Sequence, residues 1–461
     1  MWKWLIIMDD FKILIGNMLE QLDTLLPQSV DNIVTDPPYE LNFMGKGWDN
    51  AGVSFSAETW KKCFRVLKPG GYLLAFGGSR TYHRIACAIE DAGFEIRDTI
   101  MWLYGSGFPK SMNIGVAIDK RNGVESPVIG VGKSGSGETH IRTMKNELQT
   151  GDYSFGGEYA IREAQNEWKG WGTCLKPAFE PIIVARKPIA NSLIENIEEF
   201  GVGALNIDEC RIDTCGELID NHKTAGTPFM RNASEYKQID RTKSNQGRFP
   251  SNVILTYDDT DFEEVCGGFP YTKNSKRSEA NNKDTVYTNT YTPSKAIYTD
   301  NNTYGDEGSA SRYYYCAKAS AKDRNEGLDY FEDKVKVFNG KSNSSSKDIK
   351  DVEKRFTTVM KNTHPTVKPT ELMQYLVRLV APKGSTILDP FMGSGSTGKA
   401  VMFENRERNA NYKFIGVELS PEYAEIAKAR ILFAKGFVIE KKDVETNEVV
   451  IRKQAHTNRL F

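Results

Sequence analysis

One stretch near the C-terminal end restricts the fold more than any other. Residues 385–388 are mostly apolar β-formers, and the loop 389–395 (D-P-F-M-G-S-G) follows them directly. Helix-forming residues occupy 396–403, and a second apolar strand at 413–417 ends at Glu418. A strand, a glycine loop, a helix, a second strand and an acid in this order predict a Rossmann-like unit that holds a nucleoside by its ribose.

The two glycines of this loop, Gly393 and Gly395, indicate which ligand the unit takes. Glycine allows positive φ angles and close backbone approach, so we expect both residues to lie beside a ligand at a helix N-terminus. We expect Ser396 or Thr397 to cap that helix. No lysine follows the glycines in the manner of a triphosphate-binding loop. A nucleoside therefore fits the sequence better than a triphosphate.

A second stretch, Asp36-Pro37-Pro38-Tyr39, follows the short strand predicted at 30–35. Two consecutive prolines remove two backbone donors and hold φ near about −65°, so the chain leaves the strand in one rigid, extended shape. The Asp36 carboxylate and a proline carbonyl can accept hydrogen bonds from a planar amino group, while Tyr39 covers the ring that carries it. This corner fits a purine or pyrimidine with an exocyclic amino group. An ordinary strand-to-loop turn is an equal alternative for this motif alone.

Taken together, these stretches resemble the DNA amino-methyltransferases that use S-adenosylmethionine. The order of motifs is that of the permuted (β) class, in which D-P-P-Y precedes F-x-G-x-G and the DNA-reading segment lies between them. The stretch 362–369 (N-T-H-P-T-V-K-P) resembles the cofactor-side motif of that class. Further segments at 170–181, 247–252 and 312–318 resemble methylases that bacteriophages and mobile elements often carry. The resemblance covers most of the chain.

The resemblance implies a site that both ends of the chain build. It assigns catalysis to Asp36, Pro37, Pro38 and Tyr39. It assigns cofactor binding, with no metal, to Asn17, Asp36, Thr363, Lys368, Asp389, Phe391, Gly393, Ser394, Gly395 and Glu418. In the family an aspartate usually binds the adenine of the cofactor at the position of Asn17. An amide can still pair with the purine amino group, so we retain Asn17 in the site.

The family also implies the reaction. The target base has to leave the duplex to reach Asp36 and stacks on the Tyr39 ring. In the family, an aspartate at the first motif position accompanies mostly adenine N6 and a serine mostly cytosine N4. We therefore expect adenine N6, with cytosine N4 as the alternative. No cysteine follows a proline, which argues against cytosine C5 chemistry.

Two other classes are weaker alternatives. RNA and protein-glutamine amino-methyltransferases usually place the glycine loop before the N/D-P-P-Y motif, the reverse of this chain. A DNA-binding protein that has lost catalysis would be expected to lose Asp36 or Gly393, and both are present.

Composition limits the partners that the chain can be expected to bind and the cellular compartment in which it is expected. A chain of 461 residues with 39% hydrophobic content can bury a large core. Its 60 Lys and Arg balance 61 Asp and Glu, so a DNA-binding surface has to be local. Seven scattered cysteines are most simply reduced thiols, and the apolar segment 1–8 is too short to span a membrane. We expect a cytoplasmic protein that binds double-stranded DNA and no membrane. A cognate restriction endonuclease and a homodimer are further options.

Amphipathic helices alternate with short apolar strands, most regularly over 56–104. Such alternation predicts an α/β fold with a mostly parallel sheet and helices on both faces. We expect Thr370 to cap one helix, and Ser420 with Pro421 to begin another. The apolar run 181–187 is expected to be the last strand of the sheet before an insert.

The resemblance refines this fold to a Rossmann-like, seven-stranded methyltransferase sheet, circularly permuted, with an inserted target-recognition region. It implies a discontinuous catalytic domain at 8–189 and 361–436, a target-recognition region at 190–360 and a polar tail at 437–461. Within the insert, 273–311 is almost wholly polar and predicts a mobile loop. Its Lys and Tyr residues can contact phosphates and bases, although a solvated linker is the alternative.

Overall fold

The computed structural model describes most of the chain in fifteen segments. These are 5–41, 52–104, 111–133, 158–189, 191–212, 219–220, 243–244, 247–257, 271–272, 308–309, 314–318, 321–331, 334–337, 357–441 and 449–453. Two compact units divide the chain. The larger unit comprises Met1–Asn206, Asn252–Asp261 and Cys316–Phe461, and the smaller comprises Ile207–Ser251 and Phe262–Tyr315.

The secondary structure of these segments alternates strands with helices over long stretches. The strands are β1 Leu5–Met8, β2 Phe11–Ile15, β3 Asn32–Thr35, β4 Tyr72–Phe76, β5 Glu95–Tyr104, β6 Val128–Lys133, β7 Glu158–Arg162, β8 Phe179–Arg186, β9 Ile219–Asp220, β10 Lys243–Ser244, β11 Val253–Tyr257, β12 Tyr271–Thr272, β13 Gly308–Ser309, β14 Tyr315–Lys318, β15 Lys334–Val337, β16 Thr357–Met360, β17 Thr386–Asp389, β18 Lys413–Glu418, β19 Phe437–Lys441 and β20 Val449–Lys453. The helices are α1 Met18–Asp23, α2 Ala57–Val66, α3 Tyr82–Asp91, α4 Ile114–Arg121, α5 Leu193–Phe200, α6 Ala321–Asn325, α7 Thr370–Val380, α8 Ser396–Arg408 and α9 Pro421–Lys435. Short 3₁₀ turns occupy Val53–Phe55 and Asp208–Cys210.

One large mixed sheet forms the centre of the larger unit. Its strand order in the described residues is β1-β2-β18-β17-β3-β4-β8-β5-β11-β14. The strands from β2 to β4 in that order are mutually parallel, as the alternation of elements predicts. The sheet has ten strands rather than the predicted seven, because β1 extends one side and β11 and β14 extend the other.

Strand β8 is the last strand of this sheet before residue 190, as the sequence analysis expected, and it lies in the interior of the sheet. It pairs antiparallel with β4 on one side and with β5 on the other. From Pro181 to Arg186 every residue of β8 is buried. A continuous buried run of this kind is typical of an interior strand with both faces covered, and this position explains the run.

Packing around α2 connects the core with the loop that follows β3. Trp60 is fully buried within the main hydrophobic core. Its Nε1 donates a hydrogen bond to the Ser54 carbonyl at 2.9 Å. The Ser54 hydroxyl donates to the Pro38 carbonyl at 2.7 Å. Trp60 and Ser54 therefore link the hydrophobic core to the Asp36–Tyr39 corner by two consecutive hydrogen bonds.

Helix ends follow the predicted caps at some positions only. Ser420 accepts a hydrogen bond from the Tyr423 amide and begins α9 as predicted. By contrast, Gly395 holds the N-cap position of α8, so this helix has no side-chain cap, and Thr397 is its second residue, whose hydroxyl donates to Asp389. The same helix continues to Arg408, beyond the predicted end at 403. Thr370 is the first residue of α7 rather than its cap.

The predicted tail and the predicted insert both contain paired strands. The expected polar tail holds the antiparallel hairpin of β19 and β20. In the smaller unit, two-stranded pairs join β9 with β10 and β12 with β13. Of the predicted mobile loop, 273–307 and 310–311 lie outside the described residues. The division at 190 and 360 stays a prediction, although β11 and α6 belong to the larger unit.

Candidate active site

The carboxyl ends of three neighbouring parallel strands meet at one edge of the sheet. Strand β17 ends at Asp389, β18 ends at Glu418, and β3 ends immediately before Asp36. Ligands of open α/β sheets bind in the crevice outside such ends. A cleft of about 1370 Å³ opens there, and all three carboxylates line it. The fold thus brings together residues that the sequence analysis assigned from opposite ends of the chain.

The glycine loop between β17 and α8 has no room for side chains at its two glycines. Gly393 and Gly395 have φ angles of 55° and 76°, as predicted. A Cβ on Gly393 would lie 2.8 Å from His364 Nε2, and one on Gly395 would lie 2.8 Å from the Ala427 Cβ. Both the backbone angle and the neighbouring side chains therefore require glycine at these positions.

Glu418 holds the other side of this loop. Its Oε2 accepts a hydrogen bond from the Gly393 amide, and its Oε1 accepts one from the Ser420 amide, both at 2.8 Å. Burial raises the pKa of Glu418 to about 7. Each carboxylate oxygen can accept a second hydrogen bond. A pair of hydroxyl groups, such as those of a ribose, matches that capacity.

Asp389 fixes the start of the glycine loop through hydrogen bonds to its carboxylate. Its Oδ1 accepts hydrogen bonds from the Thr35 hydroxyl at 2.7 Å and from the Phe391 amide at 3.1 Å. Its Oδ2 accepts one from the Thr397 hydroxyl at 2.6 Å. Burial raises the pKa of Asp389 to about 6, although these donors oppose the shift. Asp389 thus joins the ends of β3 and β17 to the start of α8.

The Asp36–Tyr39 corner is fixed by hydrogen bonds at both ends. The Tyr39 hydroxyl lies 2.9 Å from Asp36 Oδ1 and 2.7 Å from Glu180 Oε2. Burial, with these two carboxylates, raises the pKa of Tyr39 well above its usual value, so the phenol stays neutral. Because the Pro38 carbonyl already accepts from Ser54, the Asp36 carboxylate and the Pro37 carbonyl are the acceptors that the corner offers a ligand.

Lys368 lies beside this corner and is almost completely buried. Its Nζ is 2.6 Å from Asp36 Oδ2 and 3.4 Å from Glu180 Oε2. Burial lowers the pKa of Lys368, but the two carboxylates raise it by more, so the ammonium stays charged. Three aromatic rings surround the ammonium at centroid distances of 5.0–6.0 Å, namely Phe76, Tyr39 and Trp102.

The other expected residues have more varied places. Asn17 lines the cleft and caps α1, because its Oδ1 accepts from the Leu19 amide at 3.0 Å. Phe391 and Ser394 also line the cleft. Thr363 is absent from the lining, and its buried hydroxyl has no hydrogen-bond partner within the described segments.

The contacts of His364 are those of a structural residue. Its ring packs edge-on against Tyr423 at 4.7 Å, and its Nδ1 lies 2.6 Å from the Thr366 carbonyl. Burial lowers the pKa of His364 to about 4, so the ring is neutral near pH 7. The imidazole packs directly beside the backbone of Gly393.

Sequence reasoning missed Glu180 as a site residue. It is the second residue of β8, and it lies in the segment 170–181 that carried part of the resemblance. An acid at the start of an otherwise apolar strand was the available signal. Without the position of β8 between β4 and β5, nothing placed Glu180 beside Asp36.

A buried group of charges behind the glycine loop was also missed. Lys399 and Arg430 are fully buried. Lys399 Nζ contacts the Asp323 carboxylate and lies 3.0 Å from Glu326 Oε2. Arg430 donates to the Ser394 carbonyl at 2.7 Å and to the Ser394 hydroxyl at 3.0 Å. This group supports the loop from α6 and α9.

Metal sites and membrane spans are both absent from the described segments. Among their residues, no group of three or more His, Cys, Asp or Glu side chains is arranged to hold a metal ion. None of the helices in those segments is long and apolar enough to cross a bilayer.

Comparison with known proteins gives a family and several relatives. A family profile described as DNA methylase, of the N6/N4 methyltransferases, matches residues 30–429. The type II methyltransferase M.HpaI of Haemophilus parainfluenzae is 33% identical over 111 residues, which are 22% of this chain and 34% of that protein. The type II methyltransferase M.HindIII of Haemophilus influenzae is 25% identical over 153 residues, 32% of this chain and 37% of that protein. The matched region thus spans about a third of each relative.

Solved structures give a weaker likeness. The crystal structure of the M1.HpyAVI–SAM complex aligns with 91% of this chain and 98% of its own. The TM-score of that alignment is 0.34 and the sequence identity is 15%.

Proposed function

The chain belongs to the DNA methylase family of N6/N4 methyltransferases, and we propose that it transfers a methyl group from S-adenosylmethionine to an amino group of a base in double-stranded DNA. One observation carries the proposal: the Asp36–Tyr39 corner and the loop from Asp389 to Glu418 line the same cleft. A base acceptor and a nucleoside site within one cleft are what such a transfer requires.

The cleft fits S-adenosylmethionine by the chemistry of its residues. Glu418 keeps acceptor capacity for the ribose hydroxyls, and the open backbone at Gly393 and Gly395 allows close approach. Asn17 offers an amide at the position where the family usually has an aspartate. We propose the full cofactor set as Asn17, Asp36, Thr363, Lys368, Asp389, Phe391, Gly393, Ser394, Gly395 and Glu418.

The corner explains how an amino nitrogen becomes reactive. The lone pair of an exocyclic amine is delocalised into the base, so the nitrogen is a poor nucleophile. When Asp36 and the Pro37 carbonyl accept its two hydrogens, the nitrogen becomes more nearly tetrahedral and its lone pair is freed. When bound, S-adenosylmethionine would supply the methyl group, with the electrons of its C–S bond remaining on sulfur as the amino nitrogen gains the N–C bond. The Asp36 carboxylate, which accepts a hydrogen bond from that nitrogen, would take the proton that the methylated nitrogen loses and pass it to solvent.

Base flipping follows from the burial of the corner, where the Asp36 side chain is only 20% exposed. The base has to leave the duplex to reach Asp36, and the Tyr39 ring offers a stacking surface. Because the Tyr39 hydroxyl is held by Asp36 and Glu180, the ring is already oriented before a base arrives. Pro37 and Pro38 limit the freedom of the same corner.

We propose adenine N6 as the target and cytosine N4 as the alternative. The Asp36 carboxylate is a stronger acceptor than a serine hydroxyl and suits the adenine amine. An RNA or protein-glutamine amino-methyltransferase is a weaker candidate, because here the D-P-P-Y motif precedes the glycine loop. We also propose the permuted methyltransferase core: the seven adjacent strands β2-β18-β17-β3-β4-β8-β5, with their glycine-loop unit moved to the C-terminal half.

The remaining proposals concern the partners and the smaller unit. We propose that residues 190–360 carry target recognition, that 8–189 and 361–436 form the catalytic domain, and that 437–461 is accessory. The relatives are named type II methyltransferases, which favours a cognate restriction endonuclease as a partner. A homodimer is the proposed alternative to a monomer.

The test is a methylation assay with labelled S-adenosylmethionine and DNA, RNA or protein as acceptor. Digestion of the modified DNA and mass spectrometry of its nucleosides should show N6-methyladenine. Asp36→Ala should abolish turnover and lower cofactor affinity far less than it lowers turnover, because Asp36 acts mainly in the transition state. N4-methylcytosine as the only new nucleoside would overturn the choice of base, and label in RNA or protein alone would overturn the proposed substrate.

A further inference from the structure

Each oxygen of the Asp36 carboxylate already has one hydrogen-bond partner in this structure, so a base amino group has to share or replace a donor. Asp36 Oδ1 accepts from the Tyr39 hydroxyl at 2.9 Å, and Asp36 Oδ2 is 2.6 Å from the Lys368 ammonium. An amino group needs one of these oxygens. Because a hydrogen bond to an ammonium draws electron density from the carboxylate, Asp36 is a weaker acceptor while Lys368 stays on it.

Glu180 is the one other carboxylate, within the described residues, in contact with both partners of Asp36. It lies 2.7 Å from the Tyr39 hydroxyl and 3.4 Å from the Lys368 ammonium, through the same oxygen, Oε2. The Tyr39 hydroxyl has a single hydrogen, so it can donate to only one of the two carboxylates at a time. Asp36 and Glu180 are equally buried, with 20% and 21% of their side chains exposed. The two carboxylates therefore compete for the same donors in similar surroundings.

We propose that Glu180 is a positioning residue that takes over the Lys368 ammonium and the Tyr39 hydroxyl when a base amino group binds Asp36. The inference rests on the proposed function of the same site. The movement it requires is small, because a shift of about 0.5 Å brings a 3.4 Å contact within hydrogen-bond range.

Burial makes such a second acceptor necessary. The Lys368 side chain is only 7% exposed, so water cannot easily solvate its charge once Asp36 turns to the base. A buried cation without a partner is strongly unfavourable. Glu180 keeps Lys368 paired in both arrangements, and the charge of the three groups stays constant. The Lys368 ammonium therefore keeps a charged partner throughout the exchange.

A single variant and a double variant test this role. Glu180→Gln removes the charge that competes for Lys368, which leaves the ammonium on Asp36. Its kcat should fall by about tenfold or more, while calorimetry gives an S-adenosylmethionine affinity within about twofold of wild type. Adding Lys368→Met to Glu180→Gln frees Asp36 and restores the net charge of the wild-type network. At saturating S-adenosylmethionine, which offsets the loss of the cofactor contact proposed for Lys368, the kcat of the double variant should be several-fold higher than that of Glu180→Gln alone, an increase that a merely structural role would not produce.

Glu95 provides the control for these variants. Glu95→Gln removes a carboxylate that pairs with Arg186 at 2.8 Å and lies outside the cleft lining, and it should keep the wild-type kcat. Thermal unfolding checks every variant, and Lys368→Gln replaces Lys368→Met if the latter fails to fold. A wild-type kcat in Glu180→Gln, or a double variant no faster than the single one, overturns the role of Glu180. Absence of DNA methylation by the wild-type chain refutes instead the proposed function.

Discussion

Replacement of Gly393 by alanine tests the structure of the glycine loop directly. The new Cβ would lie 2.8 Å from His364 Nε2, and the residue would keep a φ of 55°. The ring cannot easily swing away, because Tyr423 packs against it at 4.7 Å and its Nδ1 lies 2.6 Å from the Thr366 carbonyl. The loop has to move instead. Its movement would draw the Gly393 amide away from Glu418.

The size of the effect follows from two contributions. A left-handed backbone at a non-glycine residue costs about 1–2 kcal/mol. Overpacking against a side chain that cannot relax costs roughly a further 1–3 kcal/mol. Some of this total lowers the stability of the fold. If about 2 kcal/mol of this total disfavours the loop conformation that binds the cofactor, the affinity for S-adenosylmethionine falls about 30-fold.

Isothermal titration calorimetry of the purified chain with S-adenosylmethionine measures this loss. Gly384→Ala is the matched control, since Gly384 has a φ of 86° and no heavy atom within 4 Å of the position that a Cβ would take. It introduces the same backbone strain without a contact and should keep the wild-type affinity. A folded Gly393→Ala protein whose Kd stays within about twofold of wild type would refute the close approach of His364 to the loop.

Two further predictions concern charged groups. Lys399→Met should lower the free energy of unfolding in urea by about 3–5 kcal/mol, because it removes the buried cation that contacts both the Asp323 and the Glu326 carboxylates. The exposed pair of Lys62 gives the control, since Lys62→Met should cost less than about 1 kcal/mol. Burial raises the pKa of Glu418 to about 7, and ribose hydroxyls bind the ionised form, so cofactor affinity should rise about tenfold between about pH 6 and pH 8. Glu418→Gln should abolish that pH dependence, and an equally steep profile in that variant would contradict the assignment.

Local features of the site were predictable because neighbouring residues determine them. The positive φ angles of Gly393 and Gly395 depend on the loop itself, and so do the cap by Ser420 and the turn at Pro421. The same is true of the alternation that predicts parallel strands. Such signals depend on the backbone within a few residues and need no knowledge of the tertiary fold.

Features that depend on distant partners were not predictable. Thr397 was a reasonable helix cap by sequence, but the helix begins at Ser396, which places Thr397 inside it with its hydroxyl donating to the buried Asp389 carboxylate. A lysine in a helix is usually a surface residue, but in the fold α6 places the Asp323 carboxylate beside the Lys399 ammonium. Glu180 became a site residue only through the antiparallel pairing of β8 with β4. In each case tertiary contacts override the local preference.

A buried hydrogen bond connects the two strands that carry the halves of the site. The Thr35 hydroxyl donates to Asp389 Oδ1 at 2.7 Å across 354 positions of sequence. Thr35 immediately precedes the Asp36–Tyr39 corner, and Asp389 accepts a hydrogen bond from the Phe391 amide of the glycine loop. Parallel pairing of β3 with β17 brings these ends together whatever the order of the strands along the chain. The corner and the loop therefore keep one geometry because they share a sheet edge, although they lie in opposite halves of the chain.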